Sequence, residues 1–211
     1  MKRFFTISLL LLFVYQAYSQ IDFRNDPASV NDKHTNYQDM NRRADQKLGL
    51  TNDFDFELRL WTNEGLANFY SLFILRLKND VWSARYIEYD GISKTWEASG
   101  VDQQGLDRLW YALERQKVLT LPTQDSIRDK MKIYAADTTA VFYSQADVYK
   151  TATITDGIGY RYELKNKTKQ RVYNYHSPKG YLEPFPNVEE FYRAYAIVAL
   201  IRRQLGQRID E

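Results

Sequence analysis

Cysteine is absent from the chain, so disulfides, thiol catalysis and lipid attachment through an N-terminal Cys are all excluded. Histidine is nearly absent. His34 and His176 are the only two, too few for a histidine-based metal site. No Gly-x-Ser-x-Gly elbow and no glycine-rich phosphate loop occur, which removes the usual signatures of a serine hydrolase and a nucleotide cradle. Long hydrophobic runs are missing too. The two apolar stretches, residues 4–15 and 194–201, fall short of the roughly 20 residues that a membrane-crossing helix needs.

The first of these stretches has the layout of a secretory signal. Lys2 and Arg3 precede Phe4–Tyr15, an apolar run broken only by Thr6 and Ser8, and Ala17-Tyr18-Ser19 puts small residues where a signal peptidase reads. Residues 1–19 are therefore expected to be a signal peptide cleaved before Gln20, which sends the protein to the periplasm or the extracellular space. An amphipathic start of the folded domain is the alternative, but the run has no polar helical face. The 29 Lys+Arg and 27 Asp+Glu of the precursor become 27 and 27 once Lys2 and Arg3 are gone. A neutral mature chain gives no electrostatic reason to expect nucleic acid or an acidic membrane surface as partner.

Residues 20–50 are polar, with few apolar anchors, and read as a largely disordered tail carrying one helical stretch over Tyr37–Lys47. Residues 51–206 read as a single α+β domain and 207–211 as a short C-terminal tail. Phe54, Phe56, Leu58 and Leu60 alternate with Asp53, Asp55, Glu57 and Arg59, a strand with one face buried and one solvated. Asn68–Lys78 is apolar on both faces and belongs centrally in a sheet. Asn79-Asp80 then turns the chain into Val81–Tyr89. A helix is predicted over Val101–Lys117, capped by Asp102, and a short one over Gln124–Met131. Strands are expected at Ala140–Ser144, Val148–Thr155, Ile158–Lys165 and Gln170–His176. The last helix is expected to start at Asn187 with Glu190 completing a capping box, and to stop at Gly206. Consecutive hairpins, each group followed by a helix, predict an antiparallel sheet with about two main helices packed on one face.

The Asp156-Gly157…Tyr160…Glu163-Leu164 run, the Tyr175-His176-Ser177-Pro178 turn and the Ala17-Tyr18-Ser19/Gln20 junction resemble uncharacterised exported proteins of Bacteroidota. The resemblance covers about the C-terminal third. It implies no activity and transfers no catalytic residue.

Three groups of residues are candidates for chemistry. Asp53, Asp55 and Glu57 share a strand face, where a cation or an acid/base pair would need carboxylates, although Arg59 beside them offsets the charge. Lys165, Lys167, Lys169 and Arg171 interleave with Tyr160, Tyr162, Tyr173 and Tyr175 on the last hairpin, a pattern suited to an acidic polysaccharide. Lysines there also keep a sheet edge from pairing with other chains. The 17 Tyr, 4 Trp and 11 Phe, with Tyr175, Tyr181 and Phe185 near Pro184 and Pro186, provide rings on which sugars stack and proteins anchor. The alternative is a set of loop residues capping the core.

No catalytic set, metal or cofactor is read from the sequence. The leading expectation is a non-catalytic secreted module that binds a protein or glycan through Tyr173, Tyr175, Tyr181, Lys167, Lys169 and Arg171. A hydrolase using Glu57, Asp55 or Glu163 on an extracellular glycan is the first alternative. An envelope-associated structural or inhibitor protein, marked by a large apolar patch, is the second. Asn166-Lys167-Thr168 is an N-glycosylation sequon, and Asp125-Ser126-Ile127 and Asp137-Thr138-Thr139 match an acidic O-glycosylation signal.

Overall fold

Period-two hydrophobicity gives the strands, and the turns between them give the order. In a computed structural model, residues 21–26, 37–64, 68–134, 149–150, 154 and 157–207 are described. The export signal, His34, the expected strand at Ala140–Ser144 and the Asp137-Thr138-Thr139 motif lie outside the described residues.

The elements are α1 (Tyr37–Leu48), β1 (Phe56–Asn63), β2 (Phe69–Lys78), β3 (Val81–Asp90), β4 (Thr95–Ser99) and α2 (Leu106–Arg115). A 3₁₀ helix (Gln124–Met131), β5 (Ile133–Tyr134), β6 (Tyr149–Lys150), β7 (Gly159–Asn166), β8 (Gln170–His176) and α3 (Glu189–Gln204) follow. Six strands form one antiparallel sheet in the order β4-β3-β2-β1-β7-β8, and β5 pairs with β6 separately. The fold is α+β. Asn79 and Asp80 both take positive φ, 48° and 62°, the two-residue turn whose twist matches that of the flanking strands. Between β7 and β8, the Asn166 side chain accepts from the backbone N–H groups of Thr168 and Lys169.

One face of the sheet carries Leu58, Leu60, Phe73, Leu75 and Tyr162, and α2 and α3 cover it with Trp110, Leu113, Phe191 and Ile197. The caps differ from those predicted. Gly105, at φ 69°, precedes α2, and Asp102 accepts from Gln104 N–H one turn earlier. Val188 rather than Asn187 precedes α3 and its apolar side chain offers no cap, while Glu190 pairs with Lys130. Gly206, at φ 67°, ends α3 as expected.

The other face is not solvated. α1 lies across it, burying Tyr37 and Ala44 against Trp61, Leu72, Ile74 and Ile87. The reading of residues 20–50 as a largely disordered tail is thus corrected where that stretch is described. Phe23 is buried against Phe56, and Asp26 N–H bonds Gln170 C=O at the edge of β8. A stretch this polar still packs because its helix docks on a strand face that is polar as well. The helix itself spans the predicted residues.

Candidate functional site

Strand parity decides which side chains meet. On the α1 face, β1 presents Glu57, Arg59, Trp61 and Asn63, while β7 presents Lys165, Glu163, Arg161 and Gly159 directly opposite them. Glu57 and Arg59, read as a solvated face, are buried. Asn41 and Asp45 of α1, with Ala44 between them, point the same way on the helix because positions three and four apart share a face. Asn41 Oδ1 accepts from Arg59 Nη1 (2.8 Å) and Trp61 Nε1 (3.1 Å), and its Nδ2 donates to Glu163 (2.9 Å). Arg59 also pairs with Asp45 (2.8 Å) and Glu57 (2.7 Å), and Arg76 closes on the other oxygen of Glu57. Arg161 pairs with Glu163 at 2.5 Å. Three arginines thus meet three carboxylates. Burial works against the charge of Arg59, but Glu57 and then Asp45 outweigh it and hold its pKa above the ordinary value. Burial raises the Asp45 carboxyl despite the attraction of Arg59.

This network holds Glu57 and Glu163, two of the carboxylates of the hydrolase alternative. Both are buried and paired with arginines. Asp55 lies elsewhere, joining two turns by accepting from Asn79 N–H and pairing with Lys167. Asp53 pairs with Lys78. Among the described residues, no group of three or more His, Asp or Glu could hold a metal ion.

The expected binding tyrosines are corrected too. Tyr173 and Tyr175 stand on the α2/α3 side, each about 1 % exposed, and Tyr181 is 5 % exposed. Tyr173 stacks on Tyr162 (4.6 Å between centroids, 10° between planes), and Tyr175 meets both edge-on. The hydroxyls donate to carbonyls of the chain segment above them, Tyr173 to Val118 (2.8 Å) and Tyr175 to Pro122 (2.7 Å). Burial pushes both phenols well above their usual range. Arg171 is buried with its guanidinium on the carbonyls of Leu119 and Leu121. Lys167 and Lys169 remain at the surface, paired with Asp55 and Asp22. The six residues therefore form no common surface.

A different site appears at the open end of the α1 face. One cross-sheet row runs Trp96, Tyr89, Tyr70, Asn63, Gly159, His176, and the next runs Ala98, Ile87, Leu72, Trp61, Arg161, Asn174. Gly159 has no side chain, so the first row has a gap between Asn63 and His176. A cavity of about 320 Å³ occupies this corner, walled by Tyr37, Asn63, Gly159, Arg161, Asn174 and His176. The start of the 3₁₀ helix closes one side: Gln124 accepts from His176 N–H (2.7 Å), and Thr123 meets the backbone of Asn174. His176 Nε2 lies 2.9 Å from the Ile154 carbonyl.

Six buried side-chain polar atoms among the described residues have no hydrogen-bond partner, and three belong to this wall: Asn63 Oδ1, Arg161 Nη1 and Asn174 Oδ1. Buried polar atoms are nearly always paired, because leaving one bare costs about 1–3 kcal/mol. None of these three residues stands out in the sequence for its own chemistry. The readable signal is the parity of Arg161 with Trp61 and a glycine where a strand should carry a side chain.

A second cavity, about 240 Å³, lies between the sheet and the end of α3 and is lined by Glu64, Ser71, Glu88 and Arg202 among others. Glu88 accepts from the Tyr86 hydroxyl at 2.8 Å. The exposed apolar residues Val81 and Ile92 flank opposite ends of β3 and form no shared patch. Among the described residues no helix is long and apolar enough to cross a membrane. Comparison with protein-family models, with curated proteins and with solved structures yields no match for this chain.

Proposed function

We propose that the protein is an exported, non-catalytic binding module whose ligand enters the cavity between α1 and the β1–β7–β8 end of the sheet. The observation that carries this reading is a cavity of about 320 Å³ whose lining brings together Asn63, Arg161 and Asn174, each of which holds a buried polar atom with no hydrogen-bond partner. That volume is at the lower end of small-ligand sites. The Arg161 guanidinium is fixed by Glu163 and lies over the Tyr37 ring, 4.5 Å from its centroid, so the donor is pre-positioned. Export rests on the Lys2-Arg3, Phe4–Tyr15 and Ala17-Tyr18-Ser19 pattern.

Gly159 supplies the test. A Cβ there meets only Asn63, at 3.7 Å and beyond, which is ordinary contact, so the position accepts a Cβ and Gly159→Val is the variant chosen to fill the gap. Residues 20–211 and the variant are screened by thermal shift against soluble saccharides and short peptides. A stabilising ligand of the wild type that no longer stabilises Gly159→Val supports the site. Equal shifts in both proteins refute it. A hydrolytic reading draws on Glu64 and Glu88, two carboxylates lining the second cavity. It requires cleavage products from the same saccharides, lost in Glu88→Gln.

A further inference from the structure

We propose a second ligand site, at the β8 edge of the sheet, for a small organic acid: one anionic group carrying an apolar body. It lies where residues 24–26 and the 119–126 segment flank β8, and it is independent of the cavity beside α1.

Four arginines are buried among the described residues: Arg59, Arg76, Arg161 and Arg171. The first three each pair with a carboxylate. Among the described residues, Arg171 pairs with none. Its Nη1 and Nη2 donate to the Leu119 and Leu121 carbonyls (2.7 and 2.6 Å), and its guanidinium carbon lies 4.8 Å from the centroid of the Tyr173 ring. These partners orient the group but bring no negative charge. Buried arginines are nearly always paired, because a charge taken out of water without a counter-charge opposes folding. The contrast shows in the titration. Burial holds the Arg171 guanidinium below its ordinary pKa, whereas the carboxylates around Arg59 hold that one above it.

Arg171 lines a cavity of about 350 Å³ together with Arg24, Asp26, Leu119, Pro122 and Val172. That volume suits a small ligand better than a lone ion. Two of the five N–H donors of Arg171 are used on the carbonyls. The Nε–H makes no hydrogen bond to the described residues and is not one of the six sealed atoms without a partner, so it stays open to the cavity. Thr120, exposed on the same wall, has a hydroxyl with no partner among the described residues and offers a further donor.

Charge selects the ligand. The wall carries Arg24 and Arg171 against Asp26, a balance of +1 that one anionic group cancels. A neutral ligand leaves Arg171 without a counter-charge, and an ammonium adds to the excess. A dianion overshoots the balance and meets Asp26. Leu119, Pro122 and Val172 give the cavity an apolar side, against which a hydrocarbon body packs.

Isothermal titration of residues 20–211 tests the assignment. The probes are sodium hexanoate and sodium benzoate, with hexanamide, benzamide, hexylamine and inorganic phosphate as counterparts. At least one carboxylate is expected to bind saturably, at least tenfold more tightly than its amide, hexylamine or phosphate. Arg24→Ala is expected to weaken that binding several-fold and Asp26→Asn to tighten it, while Gly159→Val leaves it unchanged. Arg171→Gln is expected to abolish it; if that variant loses the wild-type circular dichroism spectrum, Arg24→Ala and Asp26→Asn decide. An amide or amine bound as tightly as the acid overturns the anion class, and tighter binding of phosphate overturns the single charge. Binding by no probe overturns the proposal as a whole. Binding that ignores both Arg24→Ala and Asp26→Asn, or that is lost in Gly159→Val, overturns the site.

Discussion

Tyr173 faces the helices because the Asn166–Lys169 turn fixes the pairing of β8 with β7 and sets Tyr173 opposite Tyr162. Once that register is given, every second residue of β8 follows, and Arg171, Tyr173 and Tyr175 share one side. Tyr173→Phe removes the bond to the Val118 carbonyl and leaves that oxygen bare, so urea unfolding should show a loss of about 1 kcal/mol. Tyr173→Ala removes a fully buried ring and should cost about 3–5 kcal/mol. A surface binding residue would give a negligible change in the same experiment. This placement was legible in principle: Tyr160 and Tyr162 alternate in step with Ile158 and Leu164, an apolar strand face, and the hairpin carries that side across to Tyr173 and Tyr175. Tyrosine is ambiguous because its ring wants burial and its hydroxyl wants a partner. Here the carbonyls of Val118 and Pro122 supply the partners from a segment more than 50 residues away, which periodicity cannot reveal.

At the scale of elements, α1 shows why a polar strand face need not be solvated. Tyr37, Asn41, Ala44 and Leu48 follow the helical spacing of a buried stripe, but Asn41 and Asp45 give that stripe the polarity of an exposed one. Their complements, Arg59 and Glu163, sit on strands in a matching polar row. Glu57→Gln leaves Arg59 and Arg76 facing a neutral group in a buried place, and a loss of about 3–5 kcal/mol is expected from denaturant unfolding. Asp45 gives a pH signature. Burial raises its carboxyl pKa in the folded protein, so its contribution to stability is full below the unfolded value and is lost as pH rises through the folded one. Asp45→Asn removes that dependence. The variant should therefore gain stability relative to the wild type between about pH 4 and pH 7, measured by urea unfolding at both ends. A constant difference across that range would contradict the burial of Asp45.

At the scale of the molecule, the sheet is covered on both faces, by α2 and α3 on one and by α1 on the other. The α+β class and the hairpin order were readable from alternation and turn residues, and the Asn79-Asp80 turn marks the β2–β3 register in the sequence. The second layer was not readable, since its helix lies at the end of a polar stretch. A chain beginning at residue 51 would uncover Trp61, Leu72, Ile74 and Ile87 together with Glu57 and Arg59. It should bind a hydrophobic dye such as ANS and lose the cooperative unfolding of residues 20–211. The cavity is likewise a property of assembly. Its wall draws on α1, β1, β7, β8 and the 3₁₀ helix, and apart from Arg161 and Asn174, which face each other across the β7–β8 hairpin, no two of Tyr37, Asn63, Gln124, Arg161 and Asn174 are close in sequence. Backbone amide shift mapping of isotope-labelled residues 20–211, titrated with soluble saccharides and short peptides, tests most directly whether this corner is the ligand site. Shifts concentrated at Asn63, Gly159, Arg161, Asn174 and His176, and absent in Gly159→Val, are the predicted result. Shifts confined to the Lys167–Lys169 turn or to the loop around Tyr181 would contradict it.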